Sequence, residues 1–248
     1  MKKQPYLSIV IPAYNEAKRL PLTLIEIDKY LKNVDYSYEI IVVNDGSKDT
    51  TAESVNRFVS LIKNLQVIDN EKNHGKGWVV KQGMLEAKGE FVIYIDADNA
   101  ISINQIEGFW PYLKKGYDVI IGSIELKESK VEENAAWYRR FLGKWAKYLI
   151  RVLTIWEIHD TQRAFKLFRG KIVKDIFLRQ TINRWGFDIE ILVIAKKLGY
   201  KIKELPVTWI NPAESKVSLK SYFSTLGELL KIKWNLIIGK YNLKSNKK

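Results

Sequence analysis

The first half of the chain alternates between short apolar segments and longer segments with helical spacing. Apolar runs rich in Val and Ile occupy 7–11, 38–43, 65–68, 91–95 and 118–122, with amphipathic stretches between them. A regular succession of strands and helices is typical of an α/β protein with a mostly parallel central sheet, flanking helices and right-handed crossovers. The sequence therefore predicts that the strands end along one common edge.

The fourth apolar run ends in two carboxylates one residue apart, Asp96 and Asp98. Open α/β sheets bind their ligands outside the carboxyl ends of the strands. Mg²⁺ is commonly bound by one or two carboxylates together with substrate phosphates and waters. The pair is thus a candidate metal and diphosphate site. An acidic turn in which an Asp caps the next helix is the alternative from these residues alone.

Three more strand ends should lie along the same edge: Pro12–Glu16, Asp45–Ser47 and Gly75–Gly77. There Tyr14, Glu16 and Asp45 can hold a ribose and a base. Lys76 and a metal on Asp98 can hold a diphosphate. The segment around Lys76 has neither the Walker spacing nor the dinucleotide-binding fingerprint, so by itself it favours a helix-entry turn over a phosphate site.

Composition narrows the class of protein. The 248 residues include no Cys, which excludes disulfides, cysteine–zinc sites and thiol catalysis. No apolar run approaches the ~18–20 residues that span a bilayer, and we expect no signal peptide at the N-terminus. The net charge of +13 suggests a polyanionic substrate, an anionic membrane or nucleic acid as a partner, or a generally Lys-rich surface.

In the second half of the chain the sequence predicts a loop at Glu125–Asn134. It predicts helices at Trp137–Ile158, Asp188–Leu198 and Tyr222–Tyr241, and strands at Asp160–Phe168 and Lys201–Val207. The first and last of these helices combine Trp, Leu and Ile with Lys. This composition fits a helix lying in a membrane interface, although helices packed on a core share it. The positive net charge favours contact with anionic lipid headgroups.

Four segments of the first half resemble the family-2 inverting glycosyltransferases of the GT-A fold: 8–16, Val43–Ser47, Asn73–Gly77 and Asp96–Asp98. Asp160–Phe168 and Arg184–Glu190 are similar to the dolichyl-phosphate β-glucosyltransferase branch in particular. The matching segments run in order from about Leu7 to Lys216. The resemblance implies a hexosyltransferase that moves glucose from UDP-glucose to dolichyl or polyprenyl phosphate.

The resemblance also implies roles for individual residues. It assigns the nucleotide sugar to Pro12, Tyr14, Glu16, Asp45, Lys76 and Asp96. It assigns a divalent metal, Mg²⁺ or Mn²⁺, to Asp98 and Asp96, with Asp98 the more direct ligand. Asp160, Gln162 and Asp188 are the implied catalytic residues facing the sugar and the acceptor.

Three positions depart from the family pattern. Ile124 follows Gly122-Ser123 where relatives usually have an Arg that contacts the acceptor phosphate. Ala164 stands in place of a Gly, and Asn44 in place of the first of two acids. Gln180 and the Arg184-Trp185 pair are one residue too far apart for the motif of processive polysaccharide synthases, which argues against that activity.

A phosphate monoester acceptor is already largely dianionic at neutral pH, so it needs little help from a general base. We therefore expect Asp188 to orient the nucleophile or the sugar rather than to remove a proton. Because Ile124 cannot bind a phosphate, Arg139, Arg163 and Lys216 are the expected acceptor-phosphate ligands.

Several alternatives remain open from the sequence. A GDP-mannose-dependent polyprenyl-phosphate mannosyltransferase and a soluble transferase acting on a sugar or glycolipid hydroxyl use the same motifs. A non-enzymatic nucleic-acid or membrane scaffold is disfavoured, because its carboxylates would repel a phosphate backbone. We expect no nucleic-acid partner, a GT-A domain at 1–217, an amphipathic, membrane-interfacial segment at 218–248, and a peripheral location on the cytoplasmic face of a membrane.

Overall fold

The computed structural model of the protein describes residues 4–132, 147–210 and 219–241. Two of the expected acceptor-phosphate ligands, Arg139 and Lys216, lie outside these ranges, as does the first part of the helix expected at Trp137–Ile158.

A seven-stranded sheet forms the centre of the described structure. The strands are β1 Leu7–Ala13, β2 Tyr38–Asp45, β3 Leu65–Asn70, β4 Phe91–Ile95, β5 Val119–Ser123, β6 Lys130–Glu132, β7 Phe165–Arg169, β8 Ile202–Pro206 and β9 Thr208–Ile210. The sheet has the order β3-β2-β1-β4-β7-β5-β8, and β6 pairs separately with β9. All neighbours in the large sheet are parallel except β7, so the prediction of a mostly parallel sheet is confirmed.

Strand β7 lies antiparallel between β4 and β5. Its first residue, Phe165, is paired with Ile95, the last residue of β4. An antiparallel strand begins at the edge where its parallel neighbours end. The turn that precedes β7 therefore lies beside the Asp96–Asp98 segment.

The helices cover both faces of this sheet. They are α1 Leu20–Leu31, α2 Thr51–Val59, α3 Lys76–Glu86, α4 Trp110–Lys114, α5 147–153, α6 Gly170–Phe177, α7 Phe187–Lys197 and α8 Leu219–Ile237, with a 3-10 turn at Ile103–Gly108. Leu24, Ile27 and Leu31 of α1 are buried as their spacing predicts. Helix α7 is followed by Gly199 with a φ of 81°, a backbone conformation that commonly ends a helix.

The structure corrects three expected boundaries. Residues 160–164 form a turn, and the strand begins only at Phe165, because side-chain hydrogen bonds rather than ladder bonds hold this segment. The expected loop Glu125–Asn134 contains the short strand β6, whose partner β9 is distant in sequence and invisible to a local pattern. The helix expected to continue to Ile158 ends at 153, where the Thr154 hydroxyl donates 2.6 Å to the Ile150 carbonyl.

Side chains of each strand alternate between two apolar layers, as the pleat requires. Val10 of β1 packs with α3, α6 and α7 on one face, whereas Ile9 and Ile11 pack with α1 and the 3-10 turn on the other. Burial on both faces is the usual state of a parallel sheet and explains why its strands read as continuous apolar runs.

Helix α8 has apolar side chains on two sides. Leu229 and Ile232 are buried in the same core layer as α7. On the outward side Leu230, Trp234 and Ile237 are 57%, 61% and 67% exposed. Among the described residues, no helix combines the length and apolar character needed to cross a bilayer.

Gly83 lets α3 approach β1 and β2 closely. A Cβ at this position would lie 2.5 Å from Val10 Cγ1 and 2.9 Å from Val43 Cγ2, both in branched core side chains. We predict that Gly83→Ala lowers the free energy of unfolding by about 1–3 kcal/mol through overpacking. Urea denaturation measures this change.

Gly227 in α8 is the matched control, because no atom lies within 4 Å of a Cβ built there. Gly227→Ala should leave the stability unchanged or raise it by about 0.5–1 kcal/mol, since Ala restricts the unfolded chain and favours a helix. Equal effects of the two substitutions would contradict this account of the packing of α3.

Candidate active site

Lys76 and Asp96 meet at the carboxyl edge of the sheet. Lys76 is the first residue of α3, and its Nζ lies 2.6 Å from Asp96 Oδ1 and 5.4 Å from the centre of the Trp185 ring. Burial works to lower the pKa of Lys76, but the attraction of Asp96 and Asp188 outweighs it, and the pKa is raised. The edge thus holds a firmly protonated ammonium beside a carboxylate.

Asp98 stabilises the turn after β4. Its Oδ1 accepts a hydrogen bond of 3.1 Å from the Ala100 N–H. Its Oδ2 lies 3.9 Å from Arg19 Nη1. Burial, followed by repulsion from Asp96, raises the pKa of Asp98. The turn contact uses one oxygen and does not exclude a cation at the other, so the metal role stays a prediction.

The donor set of Asp96 and Asp98 fits a hard divalent cation. Two carboxylates are a common protein contribution to Mg²⁺, which takes its other ligands from phosphates and water. A cation would also relieve the mutual repulsion that raises the pKa of Asp98. Within the part of the chain that the structure describes, no three His, Asp or Glu side chains cluster as metal ligands.

Asp45, at the end of β2, organises the loop before α3. Its carboxylate accepts hydrogen bonds from the backbone N–H groups of His74 (2.7 Å) and Gly75 (2.9 Å) and from Asn73 Nδ2 (2.8 Å). Burial raises the pKa of Asp45, although the two backbone donors act in the opposite direction. The side chain therefore positions the Lys76 loop, and its expected contact with a nucleoside stays a prediction.

The two glycines around Lys76 are required by close packing. Gly75 has a φ of 103°, and a Cβ there would lie 2.5 Å from the Asn183 carbonyl oxygen. At Gly77 a Cβ would lie 2.6 Å from Phe187 Cβ. Gln180 Nε2 also donates to the Gly77 carbonyl at 2.8 Å. The loop thus docks against 180–187, the segment that leads to Asp188.

The β1 end carries Pro12, Tyr14 and Glu16. Pro12 is buried in the strand, while Tyr14 and Glu16 are partly exposed in the loop after it. Both oxygens of Glu16 bind Arg19, at 2.6 and 2.7 Å. Arg19 was not among the predicted site residues. Arg19 thus contacts both Glu16, which belongs to the expected nucleoside site, and Asp98.

Asp188 lies in the first turn of α7 and is 2% exposed. Its Oδ1 accepts hydrogen bonds from the Tyr94 hydroxyl and from Lys166 Nζ, the latter at 2.5 Å. Tyr94 and Lys166 are register partners across β4 and β7. Burial lowers the pKa of Lys166, with Asp188 opposing it, while burial and Asp188 raise the pKa of Tyr94 well above its usual range.

The turn before β7 holds Asp160, Gln162 and Arg163. Asp160 is buried, and its Oδ2 accepts from the Ile124 N–H at 3.2 Å and from Arg163 Nε at 3.3 Å. The guanidinium of Arg163 stacks on Trp209 at 4.7 Å. A small open cleft is lined by Asp96, Ala100, Ile101, Gln162, Arg163, Ala164 and Trp209.

The predicted residues therefore form two groups around one edge. The first group contains Asp45, Lys76, Asp96 and Asp98. The second group contains Asp160, Gln162 and Arg163. Asp188 lies beneath both groups in the core. The sequence reasoning missed Lys166 and Tyr94, which hold Asp188. A detectable signal was present, because a Lys between Phe165 and Leu167 in a buried strand requires an anionic partner.

Comparison with known proteins identifies the family. Residues 8–177 match glycosyl transferase family 2. A dolichyl-phosphate beta-glucosyltransferase of Trichomonas vaginalis is 36% identical over 243 residues, which cover 93% of this chain and 74% of the relative. That of Homo sapiens is 31% identical over 260 residues, covering 98% of this chain and 79% of the relative.

The fold also has solved counterparts. Glucosyl-3-phosphoglycerate synthase from Mycobacterium tuberculosis, in complex with Mn²⁺, UDP and glucosyl-3-phosphoglycerate, superposes with a TM-score of 0.63 at 18% identity. The match covers 98% of this chain and 82% of that one. Together with the sheet order and the family match, this likeness establishes that the chain belongs to glycosyl transferase family 2 and has the GT-A fold.

Proposed function

We propose that this protein transfers glucose from UDP-glucose to dolichyl or another polyprenyl phosphate, with inversion at the anomeric carbon. The observation that carries the proposal is that Asp96 and Arg163 line one cleft. The first belongs to a carboxylate pair suited to a metal-bound diphosphate, and the second is a cation suited to a phosphate acceptor. The curated relatives named dolichyl-phosphate beta-glucosyltransferase support the same substrates.

The reaction needs no proton transfer. An oxygen of the acceptor phosphate attacks the anomeric carbon of the sugar, and the bond from that carbon to the UDP oxygen breaks. Because the acceptor has a second pKa near ~6, it is mostly a dianion at neutral pH. The main task is to hold two phosphate groups close together, which cations in a shielded cleft can do.

On the donor side, the nucleotide sugar would contact Pro12, Tyr14, Glu16, Asp45, Lys76 and Asp96. The ion pair of Lys76 with Asp96 supports this part of the proposal, because it places a protonated amine where the diphosphate is expected. Asp98 and Asp96 would hold Mg²⁺ or Mn²⁺. When bound, that ion would supply positive charge against the leaving UDP.

On the acceptor side, Arg163 would bind the lipid phosphate, with Arg139 and Lys216 as further ligands. Asp160 holds the Arg163 Nε, and Trp209 stacks on the guanidinium. These two contacts hold the Arg163 guanidinium in place at the cleft. A guanidinium can give two parallel hydrogen bonds to a phosphate. Gln162 is exposed at the same cleft and can contact the sugar or the acceptor.

The outward face of α8 would lie in the membrane interface that supplies the acceptor. It exposes Leu230, Trp234 and Ile237, while the α5 region exposes Tyr148 and Trp156. The net charge of +13 would favour an anionic surface. We propose a GT-A domain at 1–217, an interfacial segment at 218–248 and a peripheral location on the cytoplasmic face of the membrane, with no nucleic-acid partner.

The proposal is tested by a transfer assay with Mn²⁺ or Mg²⁺, polyprenyl phosphate and a panel of UDP- and GDP-sugars. The wild-type protein should form glucosyl polyprenyl phosphate from UDP-glucose. Arg163→Gln should raise the KM for the acceptor by about 10–100-fold, since a hydrogen bond to a charged group contributes about 1.5–3 kcal/mol.

The KM for UDP-glucose should change little in the same variant, and Arg57→Gln on exposed α2 is the matched control. Transfer of mannose from GDP-mannose in place of glucose, or transfer to a sugar hydroxyl and not to the lipid phosphate, would refute the proposed function. An unchanged acceptor KM in Arg163→Gln would refute the role of Arg163.

The substitution Asp98→Asn tests the cation site and leaves the turn contact with Ala100 in place. Asn keeps an Oδ1 that can accept from the Ala100 N–H, but it removes the negative charge. We predict that binding of UDP in the presence of Mn²⁺ weakens by about 10–100-fold, the range for disrupted metal sites. Calorimetry measures the affinity, and Asp118→Asn, at the opposite end of the strands, should leave it unchanged. Wild-type affinity in Asp98→Asn would exclude Asp98 as a ligand.

The membrane contact is tested with vesicles that contain anionic lipid. Leu230→Glu with Trp234→Glu should lower binding in a flotation assay by more than tenfold, because burial of each apolar side chain contributes about 1.5–3 kcal/mol. Leu61 and Leu178 are 72% and 63% exposed, so Leu61→Glu with Leu178→Glu is the control. Equal flotation of both double variants would argue against α8 as the contact.

A further inference from the structure

Lys166 is a fully buried lysine at the centre of the site, with 0% exposure. Its Nζ donates to Asp188 Oδ1 at 2.5 Å and to the main-chain carbonyl of Arg163. It also lies 5.4 Å from the centre of the Tyr94 ring. A buried ammonium persists only where such partners offset its lost hydration, so these contacts define its position closely.

The first contact acts on the donor side. A carboxylate buried as deeply as Asp188 needs donors and cations close to it to offset its lost hydration. Among the described residues, Tyr94 of β4 and Lys166 of β7 contact Asp188, and Lys76 of α3 is attracted to it. Of the three, Lys166 and Lys76 are cations, and Lys166 is the one in direct contact. Asp188 in turn attracts Lys76, which meets Asp96 at the edge.

The second contact acts on the acceptor side. The Arg163 carbonyl belongs to the turn that carries Asp160 and Gln162, and this turn lies outside the sheet ladder. By binding that carbonyl and Asp188 at once, one ammonium joins the turn to the start of α7. Lys166 therefore sets the distance between the Arg163 turn on the acceptor side and Asp188 on the donor side.

We propose that Lys166 is a positioning residue of the transfer reaction, which orients the Asp188 carboxylate and fixes the Arg163 turn relative to it. This inference rests on the proposed function. It assigns a role to a residue that contacts neither substrate, and it predicts that removal of the ammonium changes catalysis beyond any change in stability.

The experiment compares Lys166→Met, Lys166→Met with Asp188→Asn, and Asp188→Asn alone. In Lys166→Met the rate constant kcat should fall on the order of 100-fold, the effect of misplacing reacting groups by about 1 Å. The KM for UDP-glucose should stay within about threefold of wild type, since the donor ligands are retained. Lys196→Met, which removes an exposed ion pair with Glu157, should behave as wild type.

The separate changes in kcat and in KM distinguish positioning from simple structural support. The double variant should regain thermal stability, because it no longer buries an unpaired charge.

A Lys166→Met protein with a wild-type kcat would overturn the inference, even if its thermal midpoint were lower. If Lys166→Met alone does not fold, the double variant is compared with Asp188→Asn alone, and equal kcat values in these two proteins would overturn the inference. Failure of the wild-type protein to glucosylate polyprenyl phosphate would instead refute the proposed function.

Discussion

The antiparallel insertion of β7 between β4 and β5 is the constraint on which the site depends. A parallel strand in that place would begin at the far edge of the sheet, and its preceding turn would lie away from Asp96. Because β7 runs the other way, Phe165 pairs with Ile95 and the turn with Asp160 and Arg163 meets the carboxylate pair. The same register sets Lys166 beside Tyr94, under Asp188. One reversed strand thus joins the half built from strand ends, which we propose binds the nucleotide sugar, to a second half built from a turn.

Buried carboxylates hold the loops of this edge in place. Asp45 binds the N–H groups that precede Lys76, and Glu190 binds those of Thr181 and Ile182. Asp160 binds the Ile124 N–H and so holds the segment that follows β5. Burying such charges has a desolvation cost that the contacts only partly repay. Their benefit is geometric, because each one fixes an irregular segment that has no ladder hydrogen bonds of its own.

The sequence predicted the parts of the fold that depend on local pattern. The strands and helices of the first half, and the edge shared by Asp45, Lys76, Asp96 and Asp98, follow from periodicity and from the parallel topology. The pairing of β6 with β9 did not, since it joins residues far apart in the chain. The contacts of Lys166 were also missed, because they depend on the register of β7. The two possible roles of Asp98 could not be separated in advance, and the structure shows that its turn contact with Ala100 occupies only one oxygen.

The hydrogen bonds of Glu190 link the C-terminal helix to the rest of the chain. Its Oε1 accepts from both the Thr181 hydroxyl and Tyr241, and Glu228 of α8 accepts from the Gly186 N–H at 2.7 Å. The C-terminal helix is therefore fastened to the segment that supports Gly75 and Asp188. A protein truncated at residue 217 would lose more than the surface that we propose to face lipid. It would leave Glu190 with one donor fewer and uncover the apolar side of α7, so trimming the chain for solubility would loosen the site itself.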